Sequence, residues 1–209
     1  ATEVLAALSP EKALQVGIKR LSEAWKADIG ADAPAQSTPE EIMNFWQRHG
    51  LTCEHLRPGT EQLIAMNLPA LVKADIGGAP RWLTIVNAEE DVVTLATSET
   101  DNTVVRRTLF RDMYLNEAII PWRDKAPSNA VLLPGQRGDG VTGMKAHLRD
   151  LGLIAGGNTN DVYDPETVSA ITSIQAETGL RMDGKAGRQV RMVLSSWMGD
   201  DTVPALRAR

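Results

Sequence analysis

Glycine sets the limits of the last third of this chain. Gly135, Gly138, Gly152, Gly179, Gly184 and Gly187 stand at the corners of an otherwise helical pattern, so the segment has room only for short helices. Val141, Met144, Leu148 and Leu151 step by three, four and three, one apolar helical face. Asp164-Pro165-Glu166 is an N-terminal cap with proline at the first helical position. Val168, Ile171 and Ile174 supply the inner face that follows, and Gly179 stands where a left-handed C-terminal residue is wanted. Val190, Val193, Leu194 and Trp197 give a third helix its face. Three such helices enclose one small core, of a size only marginally stable alone.

The first part of the chain reads differently. Ser9-Pro10-Glu11 caps a helix running to about Ala27, and Thr38-Pro39-Glu40-Glu41 caps another to about His49, with a loop between them. Thr60 opens a short helix ending near Asn67. Then the period changes. LPALVKADI, RWLTIVNAE, DVVTLAT and TVVRRTL read as strands, with a hairpin at Ala88 to Glu90. Phe110 to Leu115 reads as a short helix and AIIPW as a last strand, with Pro121 near a sheet edge. Helices followed by a mostly antiparallel sheet make an α+β domain. A polar boundary at Asp124 to Asn129 predicts domains at 1–126 and 127–199, with residues 200–209 a loose tail.

The chain has 209 residues, 43% apolar and 23% charged, an ordinary globular composition. No apolar run reaches the roughly 18 residues that a membrane helix needs. The opening ATEVLAALSPEK lacks the basic and apolar regions of a signal peptide, so a fragment is expected, its anchor lying before residue 1. The net charge of −5 argues against nucleic acid as a partner. Residues 1–126 carry 13 basic and 18 acidic groups and residues 127–209 carry nine of each, so the excess lies wholly in the first part.

The C-terminal pattern resembles the three-helix peptidoglycan-binding domain attached to many cell-wall proteins. Its opening turn is met by Leu132, Pro134, Gly135 and Gly138, and its first helix ending by Leu148, Leu151 and Gly152. Tyr163, Asp164 and Thr167 fill the capping segment, with Asp164 in place of the usual glycine. Ile174, Gln175, Gly179, Leu180, Asp183 and Gly184 match the close of the second helix, Ile174 replacing an aromatic. At the start of the third helix Gly187 matches, while Val190 replaces a threonine. The resemblance implies a groove for sugars and carboxylate-bearing peptides. It points to Gln175, Asp183 and Gly184 as ligand contacts, supported by Arg137, Tyr163 and Arg188. Asp183-Gly184 also reads simply as a turn, and Tyr163 as a staple for the next helix.

The first part resembles papain-like cysteine peptidases of the bacteriocin-processing type. More specifically it is similar to the degenerate copy in the periplasmic region of the general secretion pathway protein A (ExeA-like) family. The matching residues are Asn67, Pro69 and Ala70, then Trp82 to Val86, then Val93-Thr94-Leu95, and Trp122-Arg123. That family carries a peptidoglycan-binding domain immediately afterwards. The resemblance implies a periplasmic fragment of an inner-membrane protein whose ATPase and membrane span are absent here. It also implies general secretion pathway protein B as partner, self-association, and a role in inserting the type II secretion secretin through the wall.

A peptidase of that type needs a thiolate at a helix start, a histidine as base and an Asp or Asn to orient it. The first long helix has no cysteine, Arg81 stands where the histidine should open its strand, and Thr97-Ser98 stand in place of the acid. Cys53 and His55 are close in sequence, but residues two apart share a side only in a strand. A buried cysteine and a surface histidine are expected, and no disulfide can form within the chain. His49, His55 and His147 show no metal-binding spacing, so neither metal nor cofactor is expected. The five tryptophans fall at apolar positions and read as core, and Arg106-Arg107 as a solvated strand edge. The sequence therefore predicts a non-catalytic, peptidoglycan-binding chain. An active cell-wall hydrolase with a binding appendage is the alternative, and an assembly module that has lost its ligand is a third reading.

Overall fold

In the computed structural model the structure describes residues 1–34, 37–126 and 130–207. Five helices and a six-stranded sheet form the first unit: α1 (Thr2–Ala7), α2 (Pro10–Ala24), α3 (Pro39–Arg48), β1 (Thr52–Leu56), α4 (Thr60–Ala65), β2 (Ala70–Ile76), β3 (Ala79–Ala88), β4 (Val92–Ala96), β5 (Asn102–Arg106), α5 (Arg107–Met113) and β6 (Tyr114–Trp122). Three helices form the second: α6 (Asp139–Asp150), α7 (Pro165–Thr178) and α8 (Arg188–Trp197). The α+β order followed by a three-helix unit is the one expected. Part of the polar boundary, residues 127–129, lies outside the described residues, as do residues 35–36 of the loop before α3 and the last two of the tail.

Every strand pair is antiparallel, in the order β1-β6-β2-β3-β4-β5. β1 has no counterpart in the sequence reading, and its presence moves β6 from the edge to the interior. Pro121, expected near an edge, faces Cys53 of β1 at the strand's end. β5 stops at Arg106 and Arg107 opens α5. Arg106 is exposed as expected, whereas Arg107 is partly buried and pairs with Glu61 at 3.0 Å.

α2 lies on the sheet so closely that a Cβ on Gly17 would stand 2.4 Å from both Leu71 and Thr84. Only glycine permits that approach. All five tryptophans are buried, none more than 5% exposed. Trp46 donates to Ser22 Oγ at 3.1 Å and Trp82 to the Ser37 carbonyl at 3.0 Å, so these indoles are hydrogen-bonded as well as packed.

One continuous apolar core runs through both units. The seam is built around Asn67, which is 2% exposed and left-handed at φ 59°. Its carbonyl accepts from Ser196 Oγ (3.1 Å) and from the Leu206 N–H (3.2 Å). Its amide bonds the Arg207 backbone on both sides, at 3.0 and 3.3 Å. Trp197 Nε1 donates to the Ala65 carbonyl at 2.8 Å. Residues 200–207 are therefore not loose: Leu206 is 1% exposed and its carbonyl accepts from the Ala88 N–H at 3.1 Å. Across the same seam Gly179, left-handed at φ 68°, closes α7 where a Cβ would meet the Gln62 side chain at 2.5 Å.

Candidate functional site

The loops of the second unit are fastened to one another by backbone bonds. Leu132 and Ala186 form a two-way antiparallel bridge at 3.1 and 3.0 Å. Gly135 donates to the Tyr163 carbonyl (2.9 Å), Tyr163 to the Gln136 carbonyl (2.8 Å) and Gly138 to the Asp161 carbonyl (3.1 Å). The opening turn, the 161–163 segment and the 183–187 turn thus form one layer.

Four of the six expected contact residues meet inside that layer. Tyr163 is 1% exposed and its hydroxyl donates to the Gly184 carbonyl at 2.6 Å. Gln175, 3% exposed, donates from Nε2 to Asp183 Oδ1 (2.9 Å) and the Lys185 carbonyl (3.1 Å), while its Oε1 accepts from the Gly184 N–H (3.0 Å). Burial and the Asp183 charge raise the Tyr163 phenol above its ordinary range. The Lys185 N–H, opposed by burial and aided by Gln175, lowers Asp183. Tyr163 and Gln175 therefore hold the 183–184 turn from beneath, and the turn itself reaches solvent at Asp183. The other two stand apart. Arg137 is exposed and pairs with Asp161 at 3.2 Å. Arg188 pairs with the buried Glu54 of β1, whose Oε2 also accepts from Gln189 Nε2 at 3.1 Å. That carboxylate meets the first turn of α8, where the helix dipole favours it.

A second polar centre escaped the sequence reading. Lys145 is 0% exposed, and its ammonium donates to Asn160 Oδ1 (2.8 Å), the Val162 carbonyl (3.0 Å) and Asp164 Oδ2 (2.9 Å). Asp164 also caps α7 through the Thr167 N–H at 2.9 Å and accepts from Asn158 at 2.9 Å. Burial pushes Asp164 up, but Lys145, Thr167 and Asn158 outweigh it and hold the carboxyl well below its usual range. The signal was present: Lys145 lies four residues after Val141 and three before Leu148, on the inward face.

Below the Leu132–Ala186 bridge a cleft of about 770 Å³ runs between the two units. Trp25, Trp122 and Arg123 wall it on one side, Met144, His147 and Leu194 on the other.

The helix start, strand opening and strand end where the resemblance looks for a catalytic set hold the first unit together instead. Ser9 caps α2 by accepting from the Lys12 N–H at 3.2 Å. Arg81, 7% exposed, donates to the carbonyls of Leu5 (3.2 Å), Ala6 (3.4 Å) and Leu8, tethering α1 to the sheet just ahead of α2. Ser98 accepts from the Asp101 N–H and donates to its carboxylate, both at 2.8 Å, closing the turn after β4. Cys53 and His55 do lie on a strand and so share a side. Burial and the charge of Glu54 push the Cys53 thiol up to about 12, far from a thiolate. His55 bonds Glu117 at 3.0 Å, and Glu117 pairs with Lys73 at 3.3 Å. Burial raises Glu117, but His55 and Lys73 outweigh it and lower the carboxyl. Among the described residues no three His, Cys, Asp or Glu side chains are grouped as a metal site.

A family model described as "Putative peptidoglycan binding domain" matches residues 137–194, so the three-helix unit has the sequence pattern of that family as well as its layout. Over 98% of its length the chain is similar in fold to a periplasmic domain of the EpsAB fusion protein of the Vibrio vulnificus type II secretion system. The TM-score is 0.50 and the identity 13%, with 84% of that chain covered. The N-terminal peptidase C39 like domain of the toxin secretion ATP-binding protein from Vibrio parahaemolyticus aligns with 54% of this chain and 97% of its own. Its identity is 15% and its TM-score 0.43. No curated protein sequence matches significantly. Among the described residues no helix is long and apolar enough to cross a membrane.

Proposed function

We propose that this chain is the wall-facing, non-catalytic part of a type II secretion assembly factor. It attaches to peptidoglycan in the periplasm and helps the secretin pass through the wall. The three-helix unit does the holding. Arg137, Asp183 and Arg188 offer the polar contacts, with Tyr163 and Gln175 fixing the turn beneath them through the buried Gly184. The observation that carries this reading is the family match over residues 137–194, on loops that the structure fastens into one layer. General secretion pathway protein B is the proposed partner and self-association the proposed state, both carried over from the family resemblance. The absence of catalysis is supported by Arg81 and Ser98, whose polar groups are engaged in holding backbone and turn, and by a Cys53 thiol kept neutral by burial.

The test is co-sedimentation of the intact chain with purified insoluble peptidoglycan, followed by a search of the supernatant for released fragments. Truncation at residue 126 is the wrong control, because it strips the seam at Asn67 and Ala65. Arg137→Ala is a better one, since its exposed ion pair contributes at most about 1 kcal/mol to folding. The reading expects the chain to pellet, Arg137→Ala to pellet less, and no fragments to appear. A chain left wholly in the supernatant contradicts attachment. Fragments that vanish with Cys53→Ala establish the hydrolase alternative.

A further inference from the structure

We infer that the cleft between the two units is a binding site for a short, carboxylate-bearing peptide with small aliphatic side chains, which deepens the proposed function and rests on it. In that reading the occupant is the peptide stem of peptidoglycan. At about 770 Å³ the cleft is of the size that holds a drug-sized ligand. Its apolar wall comes from Leu132, Met144, Ala186, Leu194, Met198 and Val203, a surface suited to methyl groups rather than sugar hydroxyls.

The polar groups at its rim are unequal in sign. Arg191 is neutralised by Asp124 at 2.7 Å and Lys125 by Asp200 at 3.5 Å. Arg123 is not: it donates from Nε and one terminal nitrogen to the carbonyls of Trp25 and Lys26, at 2.8 to 3.3 Å, and meets no carboxylate among the described residues. Its remaining N–H groups leave the cleft short of one anion, and the exposed His147 offers a further ring nitrogen at the rim. A carboxylate supplies that anion by a charge-assisted bond. Trp25 and Trp122, 2% and 1% exposed, stand in the wall of the cleft, so an occupant changes the surroundings of both rings.

The two indole N–H signals make the proposal testable by nuclear magnetic resonance on the whole chain. The probe is a soluble muramyl peptide ending in D-Ala-D-Ala, set against the same peptide with its carboxylates amidated. The expected result is movement of the Trp25 and Trp122 indole signals by the free acid, with the amidated form about tenfold weaker or worse. Ser195→Phe, which places a ring in the cleft from the half-buried face of α8, is expected to abolish the shifts. Shifts that appear equally with the amidated peptide overturn the proposal. So do shifts produced by an unrelated acidic protein segment but not by the muramyl peptide. Retention on insoluble peptidoglycan with unmoved indole signals sinks the cleft while leaving wall attachment intact. Loss of both sinks both.

Discussion

Each unit buries one long cation, and the two burials differ. Lys145 in the three-helix unit is fully buried and faces a carboxylate, an amide oxygen and a carbonyl. Arg81 in the sheet unit is 7% exposed and faces carbonyls alone, at the exposed end of α1. The small unit has little apolar volume, so its loop conformation depends on a filled polar cage. The sheet unit has ample core, and Arg81 adds a tether at its margin. A buried charge is thus structural in one place and supplementary in the other.

The largest effect that could break this contrast is Lys145→Met. Removing the ammonium leaves the half-buried Asp164 without its cation and unmakes three hydrogen bonds, a change worth about 3 kcal/mol. Urea denaturation measures it, and a loss under 1 kcal/mol removes the cage from the account. The acid limb of stability sharpens the point. Asp164 is held below its unfolded value of about 3.9, so its contribution is complete above that pH and lost as pH falls through the lowered folded value. Asp164→Asn is expected to flatten that limb.

Asn67→Ala is next, at about 2 kcal/mol, because it frees the Arg207 backbone and puts alanine at φ 59°. Its informative readout is cooperativity. The native chain is expected to unfold in one transition by tryptophan fluorescence and by circular dichroism, and the variant in two. Two transitions in the native chain already contradict a shared core. Arg81→Met is expected to cost least, about 1 kcal/mol, since the Leu5 carbonyl keeps the Leu8 N–H as a donor and those of Ala6 and Leu8 are only part-buried. A cost equal to that of Lys145→Met erases the contrast.

The sequence was legible where structure is local. Caps at Ser9, Thr38 and Asp164, and the left-handed Gly179, are read from neighbours within four residues. β1 was not legible. LTCEHL carries a buried Glu54 whose partners lie on α8, and its register is set by residues 118–122. The docking of Leu206 on Asn67 is equally non-local. Of the candidate site, the resemblance assembled Tyr163, Gln175, Asp183 and Gly184 at one place, but the inward direction of Gln175 was missed. Gln175 follows Ile171 by four residues, so the helical period already turned it to the core.

The central claim is that the wall is held by the three-helix unit on a rigid seam. Hydrogen exchange of the intact chain bound to insoluble peptidoglycan tests it most directly. The account predicts slowed exchange at backbone amides of 132–138 and 183–187, beside the cleft, with the amides of α1 and β5 unchanged. Protection confined to the first unit's helices and outer strands, with those loops exchanging as in the free chain, contradicts it.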